Sequence, residues 1–117
     1  MDQNNKIYDL EERTFKFAER AQNFVKKLTR TITNIENGRQ LARSAGSVAA
    51  NYIEANEALS KKDFVMRIKI CRKEAKESEY WLTLLEDEKL NDELVRLRDE
   101  AVQFRKIFGA IIEKCKV

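Results

Sequence analysis

Residues 40–59, QLARSAGSVAANYIEANEAL, decide the fold. Leu41, Ala45, Val48, Tyr52, Ala55 and Leu59 recur every three or four positions, so they line one stripe of a helix and predict a core face. A second line at the same spacing, Gln40, Arg43, Ser47, Asn51 and Glu54, is polar throughout. It is either a solvated face or a hydrogen-bonded seam. Ala42, Ser44, Ala45, Gly46, Ala49 and Ala50 around it are small, so neighbouring backbones can approach closely enough to cover it. Once covered, its polar groups must find partners.

The whole-chain composition agrees with a helical fold. The 117 residues suit one domain, 37% are charged and 43% hydrophobic, and there is no proline and only three glycines. The expectation is an all-α protein. Twenty-three basic against 20 acidic residues leave +3, too little for a polycation, so a nucleic-acid role has to come from local patches. The opening MDQNNKIYDLEER lacks an apolar signal core, and no window resembles a membrane span, which predicts a soluble, cytoplasmic protein with no membrane partner. Cys71 and Cys115 fall on apolar stripes, where a reduced thiol behaves as a small hydrophobe. With no histidine and no paired cysteine motif, neither a metal nor a cofactor is expected.

Outward from residues 40–59, three more helices emerge. Residues 1–8 read as a flexible arm, and Asp9 with Glu12 forms a capping box that starts a helix over about 9–30. Leu10, Phe17, Ala21, Phe24 and Leu28 form its main stripe, and Phe15, Ala18 and Val25 widen the apolar arc. Arg13, Lys16, Arg20, Lys27 and Arg30 make a basic line, read first as solvated and otherwise as a phosphate-facing ridge. From Thr31 to Asn37 the period lapses at β-branched residues and Asn37-Gly38, predicting a connection before a second helix over about 38–58.

Ser60 is a good cap for a third helix over about 61–86, with Asp63 answering it. Phe64, Ile68, Cys71, Ala75, Ser78, Leu82 and Leu85 alternate steps of four and three, the period of helices packed lengthwise. One flank carries Ile70, Glu74, Glu77 and Trp81; its carboxylates either face water or hold Arg43. Lys62, Lys69, Lys73 and Lys76 with Tyr80 make a second candidate for nucleic acid, with the aromatic available to stack on a base. Asn91 is the expected cap of a fourth helix over about 91–115, built on Leu94, Leu97, Ala101, Phe104, Phe108, Ile111 and Cys115. Four helices of ~30 to 39 Å with short turns predict an antiparallel up-down-up-down bundle occupying residues 9–117.

Catalysis finds no support. Glu54, Glu74 and Glu77 lack the Glu-x-x-His partners of bundle di-iron sites, Ser44 and Ser47 lack a base, and Cys71 has no imidazole. The sequence reads as a non-enzyme.

The segments DLEERTFKFA and QLARSAGSVAANYIEANEALSKKDFVMRIKICRKEAKESEYWLTLL resemble the four-helix bundle family encoded in intervening sequences of bacterial 23S rRNA genes. The matching pieces are Phe15 to Ala18, Gln40-Leu41, Arg43-Ser44, Ser47, Asn51, Glu54-Ala55, Ser60, Asp63-Phe64, Lys73-Glu74-Ala75, Glu77 and Tyr80 to Leu82. The fourth helix is similar in pattern only, and Leu28-Thr29 stands near where family members often carry a proline. The resemblance implies a ring-like homo-oligomer, typically a pentamer. It also implies kinship with accessory proteins of diversity-generating retroelements, whose basic barrel contacts a reverse transcriptase and nucleic acid. Phe15, Ala18, Val25, Ile70 and Trp81 then become candidate subunit contacts, and a ring of five would carry about +15. Two functions follow: a binding protein for RNA or DNA, or a scaffold for a protein partner such as a reverse transcriptase.

Overall fold

The computed structural model describes residues 10–116, and the expected arm 1–8 and the Asp9 cap lie outside them. Among the described residues there are four α-helices and no strand: α1 (Leu10–Lys27), α2 (Ile32–Asn56), α3 (Lys61–Leu84) and α4 (Asn91–Lys114), with a 3₁₀ turn at Glu88–Leu90.

One helix start and one helix cap differ from the sequence expectation. α2 begins at Ile32 rather than near residue 38. Thr31 is in extended backbone, and its hydroxyl accepts from Asn34 N at 3.1 Å, so the β-branched run supplies the cap instead of a break. Asn34 Nδ2 also donates to Thr29 O at 3.0 Å, which shortens the connection and ends α1 at Lys27 rather than Arg30. α4 starts at Asn91, which is a helical residue and not a cap. The preceding turn is capped instead, by Asp87, whose carboxylate accepts from Lys89 N at 3.2 Å. At α3 the expected cap is present, with Asp63 N donating to Ser60 Oγ at 3.0 Å.

The helices bury the stripes that their periods define. Phe17, Ala21 and Phe24 of α1 meet Leu41, Ala45 and Val48 of α2, Ile68, Cys71, Ala75 and Leu82 of α3, and Leu97, Ala101, Phe104 and Phe108 of α4. Phe17 stands edge-on to Phe104 with centroids 5.3 Å apart, a favoured aromatic geometry. Two stripe ends deviate: Leu59 is fully exposed because α2 stops at Asn56, and on α4 it is Ile112 that is fully buried while Ile111 packs at the edge.

Contacts run in opposite order along neighbouring helices. Arg43 meets Glu77 and Asn51 meets Arg67 across α2 and α3, and Arg13 meets Glu100 while Arg20 meets Glu93 across α1 and α4. α1 packs tightly on α2 at Gly38, where a Cβ would lie 3.1 Å from Val25 Cγ1. α1 and α4 stand further apart than the other neighbouring helices, and the molecule measures 47 × 31 × 20 Å.

One end of the fold is fastened by Asp87. Its Oδ2 accepts from Thr29 N at 3.0 Å and from Thr29 Oγ1 at 3.1 Å, tying the α1–α2 connection to the α3–α4 connection. A proline at 29 would remove that amide donor. The Thr29 amide above all, with the Thr29 hydroxyl and Lys89, holds the Asp87 carboxyl below its ordinary value. A carboxylate depressed in the folded state contributes stability above its unfolded pKa, and that contribution is lost as pH falls through the folded one. Asp87→Asn is therefore expected to melt below the parent at pH 7, and the gap should close on acidification beyond the usual carboxylate range. Thermal melts followed by circular dichroism across pH check this; a gap that persists unchanged in acid would refute the fastening.

Candidate nucleic-acid interface

The inward line of α3 sets which way its other residues face. With Ile68, Cys71, Ala75, Ser78 and Leu82 buried, Lys62, Lys69, Lys73, Lys76 and Tyr80 are exposed along the outer side. None of these lysines has a carboxylate within ion-pair distance among the described residues. Three of the four carboxylates of the same helix are engaged elsewhere, Glu74 and Glu77 with Arg43 and Glu79 with Arg105 Nε at 3.0 Å, while Asp63 stands in its first turn.

The basic line of α1 is different. Arg13 Nε and Nη2 donate to the two carboxylate oxygens of Glu100 at 2.7 and 2.8 Å, and its guanidinium lies 5.1 Å from the Phe104 ring centroid. Hydrogen bonding to Glu100, reinforced by its charge, raises the Arg13 pKa despite partial burial. Arg20 grips Glu93 in the same two-pronged way at 3.1 and 3.2 Å. The line is thus not a free ridge: its arginines span the wide α1–α4 gap, and Lys16 lies 3.7 Å from Glu12. Lys27 ends the helix and Arg30 sits in the connection beyond it, both exposed.

The polar line of α2 lies along α3. Arg43 reaches Glu74 at 3.4 Å, Glu77 at 2.6 Å and Gln40 Oε1 at 3.2 Å. Burial opposes the Arg43 charge, but the hydrogen bonds and charges of Glu74 and Glu77 outweigh it and raise the pKa. Asn51 donates to Ser47 O and Oγ, both at 3.0 Å, and accepts from Arg67 Nη1 at 3.0 Å. Glu54 departs from the expectation: it is exposed, with no side-chain hydrogen bond among the described residues. At the level of Arg43 and Glu77, Ser44 and Ser78 meet at 2.8 Å, fully buried, with Leu41 O and Glu74 O as further acceptors. Arg67 and the serine pair escaped the sequence reading. Ser78 on an apolar stripe opposite a small-residue helix was the available signal.

The expected subunit contacts are partly used within the chain. Ala18 is buried within the chain, and Val25 packs over Gly38 and so serves α1 against α2. Ile70 and Trp81 are half-buried; Trp81 packs on the core and edge-on to Tyr80, centroids 4.8 Å apart. Phe15 alone of this set is exposed. Trp81 Nε1 and Glu74 Oε1 are buried without hydrogen-bond partners among the described residues. Among the described residues no cluster able to hold a metal ion occurs, and no helix is long and apolar enough to cross a membrane.

These features define a four-helix, all-α protein joined through a polar seam and presenting a lysine-lined outer helix. The sequence model of the 23S rRNA-intervening sequence proteins matches residues 6–110, and the chain belongs to that family. Its structure is similar to the crystal structure of a protein of unknown function from the S23 ribosomal protein family of Bacteroides thetaiotaomicron. The two share 28% identity with a TM-score of 0.71, over 87% of this chain and 96% of that one. Comparison with curated proteins returns no match.

The seam and its buried thiol are both open to test. Arg43→Ala leaves Glu74 buried without its cation and should cost about 1 to 3 kcal/mol in urea denaturation, with Arg43→Lys recovering part; an unchanged midpoint would exclude a structural role. Burial pushes the Cys71 thiol up to about 12, and its Sγ lies 3.6 Å from Val48 O, so it is a packing group without nucleophilic character. An alkylating reagent at pH 8 should therefore label Cys115 in the native protein and Cys71 only after unfolding, as peptide mass mapping will read out.

Proposed function

We propose that this protein is a non-catalytic, oligomeric nucleic-acid-binding protein that contacts RNA or DNA through the outer face of α3. The observation that carries this reading is the sorting of charge on that helix. Its carboxylates at 74, 77 and 79 engage arginines of α2 and α4, while Lys62, Lys69, Lys73 and Lys76 point outward unpaired among the described residues. Such a line neutralises phosphates and releases counterions, a function that +3 over the whole molecule does not reveal.

In this reading the helices form an up-down-up-down bundle whose copies assemble into a ring in the cytoplasm, a pentamer as the family resemblance implies. Phe15 at 59% and Ile53 at 47% exposure, with Gly46 open on the same outer side of α2, supply apolar surface for copies to share. Repetition strengthens a modest patch through multivalency. A second reading, a scaffold for a protein such as a reverse transcriptase, draws on the exposed Ile32 at the start of α2 and Leu59 in the connection after it.

The test is binding of RNA and DNA across a salt titration, with mass followed by light scattering in the same buffers. A multimer should bind with log affinity falling linearly in log salt. Lys69→Glu with Lys73→Glu should weaken binding and flatten the slope by about 0.7 to 0.9 for each phosphate no longer neutralised. Lys27→Glu with Arg30→Glu should leave that slope in place. A multimer that binds neither polymer at low salt would favour the protein-scaffold reading.

A further inference from the structure

We infer that the polymer held by α3 is a single strand with open bases, rather than a duplex; this rests on the reading that α3 binds nucleic acid and names the form it takes. At steps of three and four, the lysines share their face with large apolar groups: Met66 is 47% exposed, Tyr80 55% and Leu84 45%. A surface meant only for a phosphate backbone has no use for them. A duplex hides the faces of its bases inside the stack and offers α3 mainly charge and groove edges. A single strand presents base faces, which rest on aromatic and apolar side chains while phosphates meet the ammonium groups between them.

The two ends of the line differ in a way that suits this. Near the start of α3, Val65 and Met66 line an open depression of about 710 Å³ together with Lys61, Lys62 and Lys69, and with Ser60 and Asp63 at its N-terminal side. An apolar floor with three lysines against one carboxylate around it fits an unstacked base with its phosphates. At the other end the Tyr80 ring is supported edge-on by Trp81, with centroids 4.8 Å apart and planes at 67°, so one aromatic braces the other. Met66 and Tyr80 are about 21 Å apart along the axis, with Lys69, Lys73 and Lys76 between them. Beyond Leu84 the chain turns acidic at Glu86, Asp87 and Glu88, which sets the far limit of the track.

The experiment uses the full chain and fluorescein-labelled probes: an unstructured RNA strand, a DNA strand of the same sequence, and each annealed to its complement. Fluorescence anisotropy at fixed low salt should show the single strands bound at least about tenfold tighter than the duplexes. Tyr80→Ala should weaken single-strand binding about tenfold without changing its salt slope, and Tyr80→Phe, which keeps the ring, should restore it. Tyr80 is exposed, so the melting temperature of the variants should stay at the parental value and serves as the folding control. Duplex binding equal to or tighter than single-strand binding, or an inert Tyr80→Ala, would overturn the single-strand inference while leaving nucleic-acid binding standing. No binding of any probe would overturn both.

Discussion

Everything outward-facing on this molecule depends on how α2 and α3 are locked together. Two buried hydroxyls, Ser44 and Ser78, face each other at 2.8 Å with two carbonyl acceptors nearby. Two protons serve three short contacts, which holds only while both serines occupy the same level of their helices. Arg43 with Glu74 and Glu77 at the same level, and Asn51 with Arg67 further along the pair, repeat the constraint. Sliding α3 by one turn would break the serine–serine contact and leave a nearly buried carboxylate without its cation, at a cost of about 1 to 3 kcal/mol. Apolar stripes alone would tolerate such a slip more readily. The seam fixes register and rotation together, and the placement of the lysines on the opposite side of α3 follows from it.

The same arrangement divides the charge of the chain between two tasks. The formal +3 averages over groups in very different circumstances. Arg13, Arg20, Arg43 and Arg105 are joined to carboxylates of neighbouring helices, so their charge serves architecture. Arginine suits that task because its planar fork meets a carboxylate with two donors, as at Glu100 and Glu93. The exposed cations of α3 are mostly lysines, whose compact and mobile ammonium groups follow a phosphate chain without demanding one geometry.

The periods of the apolar residues made the existence of the helices and most of the core legible in the sequence. α3 was clearest, since its seven-residue alternation maps onto buried positions from Ile68 to Leu85. Boundaries were less so. A run such as Thr31-Ile32-Thr33 disfavours a helix interior but suits a start, and only the hydrogen bond from Asn34 N distinguishes the two. The site was half legible. That Arg13 and Arg20 are bound could not be read from α1, because Glu100 and Glu93 lie 87 and 73 residues away on a helix whose facing had to be known first. Glu54 kept the spacing of the polar line but lay near the end of α2, past the last cross-contact that Asn51 makes with Arg67.

The separation of surfaces bears on how binding and assembly could coexist. The open apolar groups Phe15 and Ile53 belong to α1 and α2, whereas the lysines belong to α3. In the proposed assembly, an interface built on the former would leave the latter accessible in every copy, so the proposed binding face would be multiplied instead of covered. Had α1 kept its arginines free, the exposed apolar groups and a second cationic line would have shared one helix, and copies meeting there would have brought like charges together. Pairing Arg13 with Glu100 and Arg20 with Glu93 removes that repulsion from α1 and leaves α3 the more strongly cationic face. The wide α1–α4 gap, which looks like a packing weakness, is thus where the chain sorts its charges between the two surfaces.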